Sequence, residues 1–326
     1  MIVPKVDIPK KASRVGVLDP NRRMDFTVVL ANKVPLPAIH PARSKNPIKK
    51  HLTHDELWHR YGASVESVKV VEAFAKTFNL EIIETAVHRR NMRLAGRSAD
   101  IARAFGTKFY EFELNGHKFF APILPLRVPA KWDGVVEAVL GTHNSPHSRP
   151  RRRSAIRGHE ATTTLNDLGR AYAFPSDFDG SGETFGLIEF GGGFYPEDIK
   201  EFSSRLGVAE PNITIVEIGR AANRPASRRD IHQYLDVLNS KAIVTAKTEQ
   251  SDSFVAAQAT AEVTMDVEIL AALAPAARIV VYFASGGEQG FYNAISHAVH
   301  DDHHRPGILS ISWGLPEHTF SLHELN

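Results

Sequence analysis

Apolar residues recur at helical spacing through SVESVKVVEAFAKTFNL, where Val68, Val71, Phe74, Ala75 and Phe78 line one face behind Ser64, a natural N-cap. The preceding THDELWHRYG starts at Thr53 and places Glu56 three residues on, the spacing of a capping box. Strand patterns bracket these helices: Met24–Asn32 before them, EIIETAV and RNMRLAG after. SADIARAFG predicts a short helix from Ser98 that stops at Gly106. KFYEFEL alternates and meets HKFFAPI across Asn115–Gly116, a strong hairpin signal. WDGVVEAVLG is read as a closing helix. The resulting order, β-α-β-β-α-β-β, predicts a small α+β unit of ferredoxin-like type, ordered from about residue 24 and preceded by a loose, Pro- and Lys-rich start.

The pattern changes after residue 143. In NSPHSRPRRRSAIRGHEATTT apolar content nearly vanishes and five Arg fall between Arg149 and Arg157, which reads as an exposed linker over 144–164. Beyond it, ETFGLIEFGGG is a strand running into a glycine loop, YPEDIKEFSSRLG a helix ended by Gly207, and NITIVEIG a strand. Residues 223–254 read as polar and irregular. A helix over Ala261–Leu273, the strand RIVVYFA, the helix GFYNAISHAVH and the strand GILSISWG complete the chain. Strands alternating with helices predict a parallel, helix-covered sheet over 165–326.

Composition narrows the class. A chain of 326 residues with 43% hydrophobic and 23% charged positions builds cores. Its formal charge of +2 is too balanced for a nucleic-acid protein, and no aromatic residues interleave with the Arg run. The absence of cysteine excludes disulfides and thiol chemistry. No apolar run reaches membrane-spanning length, and MIVPKVDIPKKASRVGVLDP carries no Sec-type apolar core. Neither a nucleic-acid nor a membrane partner is expected.

Candidate chemistry concentrates on one helix. Glu262 and Asp266 are four apart and share a face. On spacing alone they fit a solvated acidic face. The small residues Ala256, Ala257, Ala259 and Ala261 before them, and the apolar residues flanking both, favour a packed helix, where a carboxyl pair titrates as a unit and can act as an acid/base couple. Glu189 sits inside an apolar strand and needs a partner. The glycines of GLIEFGGG lack dinucleotide-loop spacing. HAVHDDHHRP is read as a helix end with its loop rather than a metal site. Ser310 and Ser312 in SISWG lie outside any nucleophile-elbow context, and Trp313 stands at the carboxyl end of its strand, where sites form in open α/β sheets.

EVTMDVEILAALAPAARIVVYFA, FGLIEFGGGF and HAVHDDHHRPGILSISWGLPE together resemble the sedolisin family of serine-carboxyl peptidases, and residues 1–143 resemble its activation prodomain. The resemblance implies a subtilisin-like α/β fold and a Ser-Glu-Asp triad, in acid-active enzymes. Glu262 matches the triad glutamate, the general base, and Asp266 the aspartate that orients it. Glu189 and Trp313 match positions that extend the hydrogen-bond network behind the triad. The processing site is expected in the linker, around Arg153, Arg157 and His159. The family's Ser-Gly-Thr-Ser-type nucleophile motif, its oxyanion-hole aspartate and its calcium ligands have no counterpart before Asn326. The expectation is therefore a prodomain, a linker and the first part of a catalytic domain, inactive alone, with calcium bound elsewhere in the family's architecture. Expected partners are protein or peptide substrates and the chain's own prodomain against its catalytic domain; the resemblance implies secretion. The competing reading is a non-catalytic remnant or an inhibitor of a related peptidase acting in trans.

Overall fold

The computed structural model describes residues 6, 8–9, 11–35, 52–114, 116–145, 149–150, 165–175, 177–239 and 251–314. Packing divides the chain into two compact units, the first built on Met1–Pro146 and the second on His147–Gly286 and Gly290–Phe320.

In the first unit a four-stranded antiparallel sheet has the order β3-β4-β2-β7, with β2 over Arg23–Leu30, β3 over Glu81–Ala86, β4 over Asn91–Arg97 and β7 over Val136–Leu140. Period-2 alternation sends Met24, Phe26, Val28 and Leu30 of β2 into one core. Helix α1 (His54–Tyr61) carries the capping box: Thr53 Oγ1 accepts from the Glu56 amide and Glu56 Oε2 accepts from the Thr53 amide. Helix α2 (Val65–Thr77) adds Val68, Val71, Phe74 and Ala75 to the same core. There Phe74 packs against Phe105 and Trp132, with ring centroids 5.5 and 4.6 Å away. The short helix α3 spans Ser98–Ala104.

Two expectations need correction here. WDGVVEAVLG is not a helix: it holds a single 3₁₀ turn, Ala130–Trp132, and then strand β7. Gly134, at φ +67°, interrupts any helix, and β-branched Val136 and Val139 gain more by pairing with β2. The start is not wholly loose either. Ser13–Val17 forms β1, which pairs with β5 (Phe109–Leu114), itself paired with β6 (His117–Pro122) in a separate sheet of order β1-β5-β6. Asn115 of the hairpin turn lies outside the described residues, and Gly116 takes φ +83°.

In the second unit β9 (Thr184–Glu189), β10 (Asn212–Glu217), β11 (Arg278–Phe283) and β12 (Ile308–Ser310) form a parallel sheet of order β10-β11-β9-β12. Alternation splits its side chains. Leu187, Ile279, Val281 and Phe283 meet Ile199 of α5 (Pro196–Leu206) and Val263 and Val267 of α7 (Asp252–Leu273) on one face. Ile188, Val280 and Tyr282 meet Ala294 and Ala298 of α8 (Glu288–Val299) on the other. Helix α4 is Leu165–Ala171. Helix α5 ends at Gly207, left-handed at φ +70°. Among the described residues no helix is long and apolar enough to cross a membrane.

Residues 223–254 are not irregular throughout. Arg228–Asn239 forms α6, and α7 begins at Asp252, nine residues before the expected start. The missed signal is Ser227, which caps α6 by accepting from the Asp230 amide, and Tyr234, which buries itself edge-on against Phe254 of α7 with centroids 5.1 Å apart. GILSISWG also divides. Ile308–Ser310 joins the parallel sheet, whereas β13 (Trp313–Gly314) pairs antiparallel with β8 (Arg149–Pro150), Trp313 opposite Pro150.

The His-rich loop after α8 is organised by one carboxylate. Asp301 Oδ1 accepts from the amides of His303 and His304, and Oδ2 accepts from the Tyr282 hydroxyl at 2.8 Å and pairs with His304 Nδ1 at 2.7 Å. Burial pushes the Asp301 carboxyl up, but the His304 and Tyr282 hydrogen bonds outweigh it and hold its pKa down at about 2. Among the described residues no group of three or more His, Asp or Glu is placed to hold a metal ion.

Candidate functional site

The site lies at the carboxyl end of β9. Parity along that strand puts Glu189 on the same face as Leu187, the face covered by α7. Helix α7 presents Glu262 and Asp266 there, one turn apart. Exposure is 0% for Glu189, 4% for Glu262 and 8% for Asp266, which overturns any solvated acidic face. Trp313, at 6%, donates its indole Nε1–H to Glu189 Oε2 at 2.7 Å. The structure thus brings together four of the residues singled out in the sequence. Arg153, Arg157 and His159 lie outside the described residues.

Burial dominates the protonation of these acids. Burial pushes the Glu189 carboxyl well above its ordinary range; the Trp313 hydrogen bond opposes this, and the nearby Asp266 and Glu262 carboxyls reinforce it. Burial also raises Asp266, while hydrogen bonds from Ser312 and Glu189 favour its ionised form. Burial thus favours the protonated form of both Glu189 and Asp266. Carboxyls this close and this dry cannot all ionise, so the cluster takes up and releases protons as a unit.

What seats α7 is a glycine turn. Gly191, Gly192 and Gly193 all have positive φ. A Cβ on Gly192 would stand 2.5 Å from the Ala259 carbonyl carbon and 2.7 Å from the Thr260 nitrogen, so the turn touches the helix backbone one turn before Glu262. Asn223 grips this turn: its Oδ1 accepts from the Phe194 amide at 2.8 Å and its Nδ2 donates to the Phe194 carbonyl at 3.1 Å. The Arg224 amide donates to the Gly192 carbonyl at 2.9 Å, and the Ala226 amide to Thr260 Oγ1 at 2.8 Å. Sequence reasoning missed Asn223. A polar residue bonded to distant backbone leaves no periodic trace.

A second acid on α7 responds to pH. Glu268 is raised to about 6, first by burial and then by the Asp198 carboxylate on α5. A carboxyl with a raised folded-state pKa contributes stability that is full below its unfolded value and lost as pH rises through about 6. Hydrogen exchange in α7 is expected to slow as pH falls from 7 to 5, after correction for intrinsic rates, and Glu268→Gln to flatten that dependence. An unchanged slope in the variant would contradict it.

A helix-borne carboxyl pair and a strand acid, buried at the carboxyl edge of a helix-covered parallel sheet, form a carboxyl cluster on an α/β scaffold. Residues 10–145 match the family described as pro-kumamolisin, activation domain. Kumamolisin of Bacillus sp. (strain MN-32) is 31% identical over 282 residues, 83% of this chain and 46% of that protein. Xanthomonalisin of Xanthomonas sp. (strain T-22) is 26% identical over 200 residues, 55% of this chain and 24% of that protein. The chain belongs to the sedolisin family. It spans less than half the length of these curated relatives.

Proposed function

We propose that this chain is the zymogen portion of an acid-active serine-carboxyl endopeptidase, with the first unit as its inhibitory and chaperoning prodomain. The fold reading that accompanies this is a ferredoxin-like first unit and, in the second, the opening strands of a subtilisin-like domain. Glu262 is the general base toward a serine hydroxyl supplied from outside residues 1–326. Asp266 orients it, and Glu189 with Trp313 holds the reservoir proton. The observation that carries the reading is the burial of all three carboxyls together at the end of β9. A lone glutamate is a weak base, but a buried cluster sharing a proton can move one in acid, where histidine would be protonated.

Backbone pairing supports an inhibitory role for the linker. Arg149–Pro150 adds as an antiparallel strand to Trp313–Gly314, beside the cluster, in the way an extended peptide substrate would. Cleavage beyond it, between about Arg153 and Thr163, would free that edge. Substrates are then unfolded proteins or peptides, met outside the cell. Among the described residues no group of three or more His, Asp or Glu is placed to hold a metal ion such as the calcium implied by the family resemblance.

The test is a peptidase assay at about pH 3–5, on denatured protein, with the product of the whole reading frame and with residues 1–326 alone. Turnover by the former and none by the latter is expected. A folded, processed product without turnover at any acid pH would defeat the proposal and favour an inhibitor acting in trans.

A further inference from the structure

One indole touches two neighbouring residues that strand geometry would separate. Period-2 alternation sends Glu189 to the α7 face of the sheet, and Ile188 and Phe190 join the cluster on the α8 face. Strand β9 ends at Glu189, and Trp313 reaches round that end to both. Its Nε1–H donates to Glu189 Oε2 at 2.7 Å. Its ring meets the Phe190 ring edge-on, with centroids 5.9 Å apart and planes at 88°. Phe190 in turn stacks on Phe291 of α8, with centroids 4.2 Å apart and planes at 25°. Phe190 and Trp313 are both buried in one apolar cluster, and Phe291 is packed against it. That prop is fixed from behind. A Cβ on Gly290 would stand 1.5 Å from the Ser285 carbonyl oxygen, so α8 can approach the turn after β11 only because residue 290 is glycine. Phe291 is the next residue, and the close approach sets where its ring stands.

We propose that Phe190, propped by Phe291, is a positioning residue that holds the Trp313 ring in the orientation from which its N–H reaches Glu189. This deepens the acid/base reading of the carboxyl cluster and rests on it. An indole has a single donor, and a hydrogen bond weakens steeply once the donor swings off line. One such bond leaves the ring free to pivot; a perpendicular neighbouring ring, in the geometry aromatic pairs favour, removes that freedom. The aim matters because the indole is what opposes burial at Glu189, whose other charged neighbours are Asp266 and Glu262 of α7. With the donor off line, the protonated form of Glu189 gains.

The experiment labels the three tryptophans with ¹⁵N and follows the indole N–H signals by NMR, the Trp313 signal being the one lost in Trp313→Phe. In Phe190→Leu, which stays apolar but removes the ring, the Trp313 N–H should exchange with solvent about fivefold faster or more, the net worth of one hydrogen bond. Backbone amides of β11 should exchange as before. The midpoint of the Trp313 signal, read between about pH 8 and about pH 3, should move up, because Glu189 has lost a donor to its ionised form. Phe190→Tyr, which keeps the ring, should return both readouts toward their original values. Phe291→Leu, which leaves the Phe190–Trp313 contact in place but removes its prop, should shift them in the same direction by less. Indole exchange unchanged in either leucine variant, quickened only in step with the β11 amides, or not restored by Phe190→Tyr overturns the positioning role and leaves the acid/base reading standing. A Trp313 signal that never titrates in the unsubstituted chain overturns the acid/base reading on which the proposal rests.

Discussion

Glu262→Gln is expected to lower acid proteolysis by the whole reading frame's product by roughly three orders of magnitude or more in kcat, the scale seen when one member of a nucleophile–base unit is removed. Glutamine matches the size and hydrogen-bonding reach of glutamate but cannot take a proton from a hydroxyl. Because Glu262 is almost fully buried, the isosteric change is preferred to alanine, which would open a cavity on α7. The helix should remain seated, since its contacts with the sheet are made by Val263 and Val267. Asp266→Asn should lose less, because Asp266 orients the base rather than taking the hydroxyl proton itself. The comparison is made by kcat on a chromogenic peptide after each precursor is processed in trans. A Glu262→Gln enzyme within tenfold of the original would remove Glu262 from the role of base.

Gly192→Ala is expected to unseat the same helix without touching a carboxyl. The added Cβ meets backbone atoms of Ala259 and Thr260 at 2.5 and 2.7 Å, and backbone cannot rotate away as a side chain can. The residue also sits at φ +68°, where alanine is strained. Together these should cost about 2–4 kcal/mol of second-unit stability. Gly207→Ala is the control: its φ of +70° is nearly the same, but nothing lies within 4 Å of its Cβ. That variant should lose only the strain, about 1 kcal/mol. Hydrogen exchange across Asp252–Asp266 separates the two cases. Equal acceleration in both variants would mean that the glycine turn does not position α7.

Legibility of the chain varied with the kind of signal. Helices with both a cap and a stripe, such as the one behind Ser64, were readable because both features are local. So was the burial of Glu262 and Asp266, from the small and apolar residues around them. WDGVVEAVLG misled because a short apolar run with alternating spacing suits a helix or a strand, and only the partner strand β2 decides. The polar stretch containing α6 misled because that helix buries little of itself beyond Tyr234, so its pattern is weak.

The sequence by itself determined which carboxyls share a helix face and which strand ends at Glu189, since three- to four-residue and two-residue periods follow from backbone geometry alone. It also carried the family resemblance, through residues whose spacing is local. Only the tertiary structure decided that Glu189, Glu262, Asp266 and Trp313 are buried, with Trp313 bonded to Glu189, and that two linker residues pair with the edge at Trp313–Gly314. The meetings of Trp313 with Glu189 and with Pro150 join positions more than a hundred residues apart. The burial of the carboxyls depends on how far α7 sits from β9, and Gly192 and Asn223 set that spacing by contacts that leave no pattern along the chain.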